Sequence, residues 1–421
     1  MPVVTTDTSR PALPVLLGGL AVFYLLQGLP AGLLAKALPS LAREAGLSRE
    51  WIGLLGLTAL PWALKFLWAP WVDRCGRGAR AHRKRWILGC QLVVVALVLL
   101  LSLWARDVWF GPLLGCLLLV LFFINVACAT QDIAADGLAV RLLTPALRGP
   151  GNSVQVLGYK IGMIVSGAAL LMANDWLGWR VTLWLLALLI VLLLIPVTRF
   201  PEPAEPDARA WRAERGWWWR SLRDFWRRPG LAPWALLLLG YKIGDGFGSR
   251  MIKPFLVDGG WSQAAIGRLD LLTGLAGLAA AGLGGVLMLR LSRRAALIGF
   301  GALQALAFVG WWWVARHAGA GVWPVALFEQ IADGLSTVAL FVVMMDYCRA
   351  GREGSDYTVQ ASMQLLAVGV FTLGSGFSAS ALGYADHFLL AAALGGLVIM
   401  AALFWRPPVA MAPADRAMPI L

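Results

Sequence analysis

Apolar residues run along this chain in stretches too long for strands and too continuous for one face of a surface helix. Gln91 to Leu103 and Leu183 to Val197 contain no charged side chain. A helix needs about 20 apolar residues to cross a bilayer. Breaking the chain at charged and Pro/Gly-rich points gives about twelve such segments. They lie at roughly 13–35, 51–71, 86–104, 110–138, 151–173, 179–199, 231–257, 263–289, 294–315, 320–347, 357–381 and 387–405, with ends loose by a few residues. The pattern predicts an all-α polytopic membrane protein. A transmembrane barrel would instead alternate apolar and polar positions over short segments.

Composition narrows this further. Of 421 residues, 59% are hydrophobic and 14% charged, and mean hydropathy is +0.73. A soluble chain carries about 25% charged residues, so too little polar surface exists here to cover a water-facing globule. The polar start, Met1 to Arg10, precedes a long apolar run without a clear small-residue exit, which points to a first span and not a cleaved signal peptide.

A net charge of +13 raises the question of nucleic acid. Its distribution points to the membrane instead. With the N-terminus placed in the cytosol, Lys and Arg on the inside outnumber those outside by about five to one. Arg83, Lys84 and Arg85, the arginines of 199–228, and Arg290, Arg293 and Arg294 all fall inside. Both termini are then cytosolic, in a bacterial inner membrane, and the basic surface meets anionic headgroups. The five cysteines show no C-x-x-C spacing, so free thiols are expected. His82, His317 and His387 fall in predicted loops, so no metal centre is expected. No nucleotide-cradling G-x-x-x-x-G-K-[ST] occurs and no cofactor is expected.

The longest polar segment, 201–230, begins PEPAEP and continues with Arg and Trp interleaved, as an amphipathic helix lying in the cytosolic interface would. It divides an N-terminal six-helix bundle (1–200) from a C-terminal one (231–421). The halves look like weak repeats. Ser48 and Ser262 each precede Ile-Gly at the same offset and open the next helix as N-caps. Val154-Gln155 and Val359-Gln360 open the fifth and eleventh spans.

The loop after the second span reads Asp73-Arg74-Cys75-Gly76-Arg77. It resembles the D-R-x-G-R core of the loop signature of the major facilitator superfamily, although Ala69 stands where that signature has glycine. Further matches are Pro61 to Pro70, Ala129-Thr-Gln131-Asp132 through Asp136, Val154 through Met163, and Tyr241-Lys-Ile-Gly-Asp245. Together they resemble the muropeptide-permease-like branch, which includes anhydromuropeptide permeases, acetyl-coenzyme A transporters and small siderophore permeases of the ferric-pyochelin and rhizobactin type. The resemblance implies the major facilitator fold, with twelve helices in a six-plus-six pseudo-repeat, and a secondary transporter, not an enzyme. The short chain looks more like the siderophore permeases, implying import of a ferric siderophore by alternating access. The alternative is a permease for anhydromuropeptides or another anionic metabolite. A monomer is expected. In the gate this implies, Asp73, Arg74 and Arg77 latch and release the cytosolic side.

Charged residues within spans face a cavity or a partner, because each costs about 2.5–3.5 kcal/mol on insertion. Lys65, Lys160, Lys242, Arg250 and Lys253 outnumber the acids near them in sequence, which favours an anionic substrate. Lys65, Arg250 and Lys253 can alternatively snorkel to an interface. The expected substrate-binding residues are Gln27, Lys65, Gln131, Lys160, Tyr241 and Lys242. Asn125, Asp132 and Asp136 form one polar stripe on the fourth span. Asp132 suits a proton carrier or a gate equally. Asp136, nearer the inner end, suits the gate, with Arg77 or Arg141 as its cation. Glycines 240, 244, 246 and 248 around Asp245 loosen the seventh helix by up to about 1 kcal/mol each. Glu329 and Asp333, four apart with no cation on their helix, head the candidates for proton coupling, followed by Asp132 and Asp245.

Overall fold

A computed structural model describes residues 11–48, 51, 54–75, 81–203, 217–228 and 230–406. Helix covers each of the twelve expected segments. Labelled in chain order, they are α1 (Leu13–Glu44), α2 (54–74, in short pieces), α3 (His82–Leu101), α4 (Leu114–Leu142), α5 (148–177), α6 (179–199), α7 (231–258, in pieces), α8 (Gln263–Leu287), α9 (Arg293–Arg316), α10 (Val322–Asp346), α11 (353–382) and α12 (384–404). Among the described residues, eight helices are long and apolar enough to cross a membrane, the longest being Glu353–Phe404. That helix bends at Gly383 into α11 and α12. Apolar side chains such as Leu373 and Phe377 are 80% and 82% exposed, so the outer surface is one that lipid covers.

Local chemistry explains the interruptions. Pro61 and Pro70 sit at the first turns of Leu60–Leu64 and Ala69–Arg74. Proline has no N–H to offer the preceding turn, and α2 runs as short α and 3₁₀ pieces. In α7 the glycine run has the effect expected of it: the helix breaks at Tyr241-Lys242 and again near Arg250. Gly178 (φ 76°, ψ 169°) joins α5 to α6, and Gly383 (φ 78°, ψ 165°) joins α11 to α12. Only glycine adopts that backbone freely, and its use at matching points strengthens the internal repeat. Ser262 caps α8, its hydroxyl accepting from Ala265 N–H at 3.2 Å. Around the matching Ser48, residues 49–50 and 52–53 lie outside the described ones.

The chain forms two compact units. The first is Met1–Leu142, Val154–Leu222 and Arg349–Val359; the second is Leu143–Ser153, Arg223–Cys348 and Gln360–Leu421. Each thus takes a short segment from the other half of the sequence. In the first unit α5 crosses α1 closely through glycines. A Cβ on Gly158 would lie 2.7 Å from Ala21 O, and one on Gly162 2.5 Å from Leu25 O. This is the small-residue packing typical of membrane helices. In the second unit Gly277 plays that part against Gln330 O, at 2.8 Å, whereas Gly274 and Gly282 face open space.

Two expectations change. His387 lies in α12, not in a loop. It is fully buried, and its ring nitrogens lie 3.1 Å from Ser378 Oγ and 3.2 Å from Phe247 O. His82 opens α3 and is buried against Val72 O. The Trp/Arg-rich segment does form a helix, Trp217–Trp226, with Trp219 67% exposed, but 204–216 lie outside the described residues.

Candidate functional site

In the first unit, α4 carries a ladder of buried polar side chains, because residues three, four and seven apart share a helix face. Asn125 accepts from Trp62 Nε1 at 2.9 Å. Asp132 takes an ion pair from Lys65 on α2 and a hydrogen bond from Gln27 on α1. Lys65 also lies over the Trp62 ring, 5.4 Å from its centre. One turn further, Asp136 accepts from Tyr24 Oη at 2.6 Å and Gln155 Nε2 at 3.0 Å. Asp136 therefore has neutral donors where a gate arginine was expected. Arg141 donates to Pro203 O at 2.9 Å, and Arg77 lies outside the described residues. Gln131 is fully buried, donating to Phe23 O at 3.2 Å and accepting from Gln91 on α3. It ties three helices together and offers no free face to a substrate.

The same unit holds a second cluster at the loop signature. Asp73 ends α2 and faces Arg83 of α3 at 2.9 Å. Its other oxygen accepts from both Ser355 N–H and Ser355 Oγ, each at 2.6 Å. Ser355 lies in the first turn of α11, whose N–H groups lack intrahelical acceptors and attract negative charge. Arg83 also reaches Glu353 at 3.1 Å. Glycines make the space: a Cβ on Gly137 would collide with the Arg83 guanidinium, and one on Gly354 would lie 2.7 Å from Asp73 Oδ1. Arg83 read in sequence as one member of a basic loop; its partners are 10 and 270 residues away, and nothing local announced them.

The second unit repeats the pattern of an acid on the fourth helix held from the first helix of its half. Lys242, at the break in α7, donates to Asp333 Oδ1 at 2.6 Å and to Ser336 Oγ at 2.8 Å, and lies 3.4 Å from Asp245. Gln304 of α9 donates to Asp245 at 3.0 Å. The Glu329/Asp333 pair is thereby divided. Asp333 has a lysine, whereas Glu329 is buried and accepts only from Gln330 Nε2, at 2.9 Å, among the described residues. Tyr241 packs away from the cluster, its hydroxyl donating to Leu297 O at 2.8 Å. The segment 143–153 is pinned in this unit by Asp346, which takes Arg148 and, at 2.7 Å, Arg293.

The surplus of cations largely disappears. Lys65, Lys242 and Lys253 each pair with an aspartate: Asp132, Asp333 and Asp270. Among the described residues Lys160, half-buried on α5, and the exposed Arg250 have no polar partner. Any case for an anionic substrate narrows to Lys160.

A helical bundle with paired intramembrane acids and lysines, a broken seventh helix and an Asp-Arg ion pair at the loop signature is the frame of a transporter. The Major Facilitator Superfamily profile matches residues 20–372, and the chain belongs to that superfamily. It is a multi-pass membrane transporter, not an enzyme. The chain is 31% identical over 397 residues to the anhydromuropeptide permease of Escherichia coli K12, covering 90% of this chain and 78% of that protein. An uncharacterized protein of Haemophilus influenzae is 29% identical over 90% of this chain and 92% of its own length. Among solved structures, the E. coli fucose:proton symporter matches with a TM-score of 0.74 at 15% identity, covering 93% of this chain and 98% of that one.

Proposed function

We propose that this protein is an inner-membrane permease importing anhydromuropeptides from periplasm to cytoplasm by alternating access, driven by the proton gradient, with both termini in the cytoplasm. The observation that carries the reading is the 31% identity to the E. coli anhydromuropeptide permease across 90% of the chain. It favours this substrate over the ferric siderophore suggested by chain length.

In this reading Lys160 meets the substrate's negative charge. Asp73, Arg83, Glu353 and Ser355 form the cytosolic latch. Glu329 is the first-ranked proton carrier, because it is buried and has no cation within ion-pair distance among the described residues. Asp132, Asp333 and Asp245 each lie against a lysine and follow it; a proton on Asp333 or Asp245 would loosen the hold on Lys242. The test is whole-cell uptake of labelled anhydromuropeptide and labelled ferric siderophore, with and without this protein. Protein-dependent entry of the first alone is expected. Entry of the second alone reverses the assignment.

A further inference from the structure

We propose that the first unit carries a specific site for an anionic phospholipid of the cytoplasmic leaflet, in a groove walled by α2, α3 and α4. A cavity of about 630 Å³ opens there, lined by Cys75, Trp86, Cys90, Val93, Phe123 and Val126 among others. A second void of about 290 Å³ adjoins it across Trp86, Val126 and Thr130 and continues along α2 to Leu64. The walls are almost wholly carbon, and Phe123 and Val93 are 53% and 48% exposed. The groove therefore opens on the lipid-covered surface, and its volume falls in the range of ligand sites, about 300–1,000 Å³.

Headgroup charge is specified by what the three successive cations at the start of α3 do. Arg83 is buried in the Asp73 and Glu353 ion pairs. Lys84 Nζ donates to Thr198 O at 3.0 Å and Phe200 O at 2.9 Å. Arg85 lines the cavity, is exposed, and has no polar partner among the described residues. It stands at the end of α3 that meets the loop signature, the cytosolic end in the orientation proposed above. A guanidinium with no polar partner among the described residues, at headgroup depth over a carbon-lined groove, is complementary to a phosphate with an acyl chain below it. The helix Trp217–Trp226 docks nearby, Trp218 Nε1 donating to Leu67 O at 2.6 Å, as an interfacial element does. The site is independent of which solute is transported.

The purified protein in phosphatidylcholine vesicles is photolabelled with a trace of phosphatidylglycerol bearing a diazirine on its acyl chain, or with phosphatidylcholine bearing the same chain. The expected result is phosphatidylglycerol labelling concentrated on 86–93 and 123–130 and exceeding that by phosphatidylcholine. Arg85→Gln should lower it about fivefold, one cation's share of headgroup attraction, and Arg85→Lys should retain it. Gly89→Leu, whose Cβ meets open space, should fill the groove and abolish the labelling without disturbing the fold. Equal labelling by both lipids, labelling spread evenly over exposed positions such as Leu373 and Phe377, or labelling unchanged in Arg85→Gln would overturn the proposal.

Discussion

Replacing Asp73 by Asn preserves shape and removes one charge. The carboxylate is 5% exposed and serves Arg83 and the first turn of α11 at once. Breaking a buried ion pair costs about 3–5 kcal/mol. Arg83 keeps Glu353 at 3.1 Å, and the asparagine carbonyl can still accept from Ser355. The expected loss therefore sits at or slightly below the lower end, about 2–3 kcal/mol. That corresponds to roughly a 30- to 150-fold rise in opening of the contact. Hydrogen exchange reads it directly. The Ser355 amide, bonded to Asp73 at 2.6 Å, should lose protection by that factor, while amides in mid-α4 keep theirs. In transport, bound substrate should cycle abnormally with affinity little changed. Unchanged protection at 353–356, or lost affinity with normal cycling, would refute the latch.

Gly137→Ala should damage the same latch by pushing on the Arg83 guanidinium and should reproduce the Asp73→Asn exchange signature. Gly162→Leu forces α5 off Leu25 O of α1 and should destabilise the first unit by about 1–3 kcal/mol, the range for overpacking, read as a lower melting temperature in detergent. Lys242→Gln leaves Asp333 and Asp245 without their cation, a loss of about 3–5 kcal/mol for the ionised cluster; Lys242→Gln with Asp333→Asn should recover much of it, and a double variant as unstable as the sum of the singles would contradict the pairing. Lys160→Gln should weaken uptake of an anionic substrate without lowering the melting temperature, and normal uptake by this variant would remove the charge argument. A periplasm-active reporter fused after Leu421 should stay silent, and a strong signal there would reverse the topology.

The bundle was legible because lipid demands long apolar runs, and those show in one dimension. The break in α7 was legible for a similar reason: four glycines within nine residues weaken any helix locally. The interruption of α2 was written in Pro61 and Pro70, which were read as part of a motif and not as helix starts. The site was only partly legible. The polar stripe on α4 is a local periodicity and could be read. The partners that decide its chemistry are not local: Lys65 is 67 residues from Asp132, and Lys242 is 91 from Asp333. Counting cations along the sequence therefore overstated the free positive charge. Asp136 invited an arginine because Arg141 follows it closely, yet the fold turns it toward Tyr24 and Gln155.

The central claim is proton-driven import of anhydromuropeptide, and purified protein in sealed vesicles tests it with nothing else present. Vesicles with an imposed inward proton gradient should accumulate labelled anhydromuropeptide above the outside level and lose that accumulation on adding an uncoupler. Glu329→Gln should abolish accumulation while leaving downhill exchange intact. Accumulation that ignores the uncoupler would contradict the coupling, and accumulation of a ferric siderophore in place of the muropeptide would contradict the substrate.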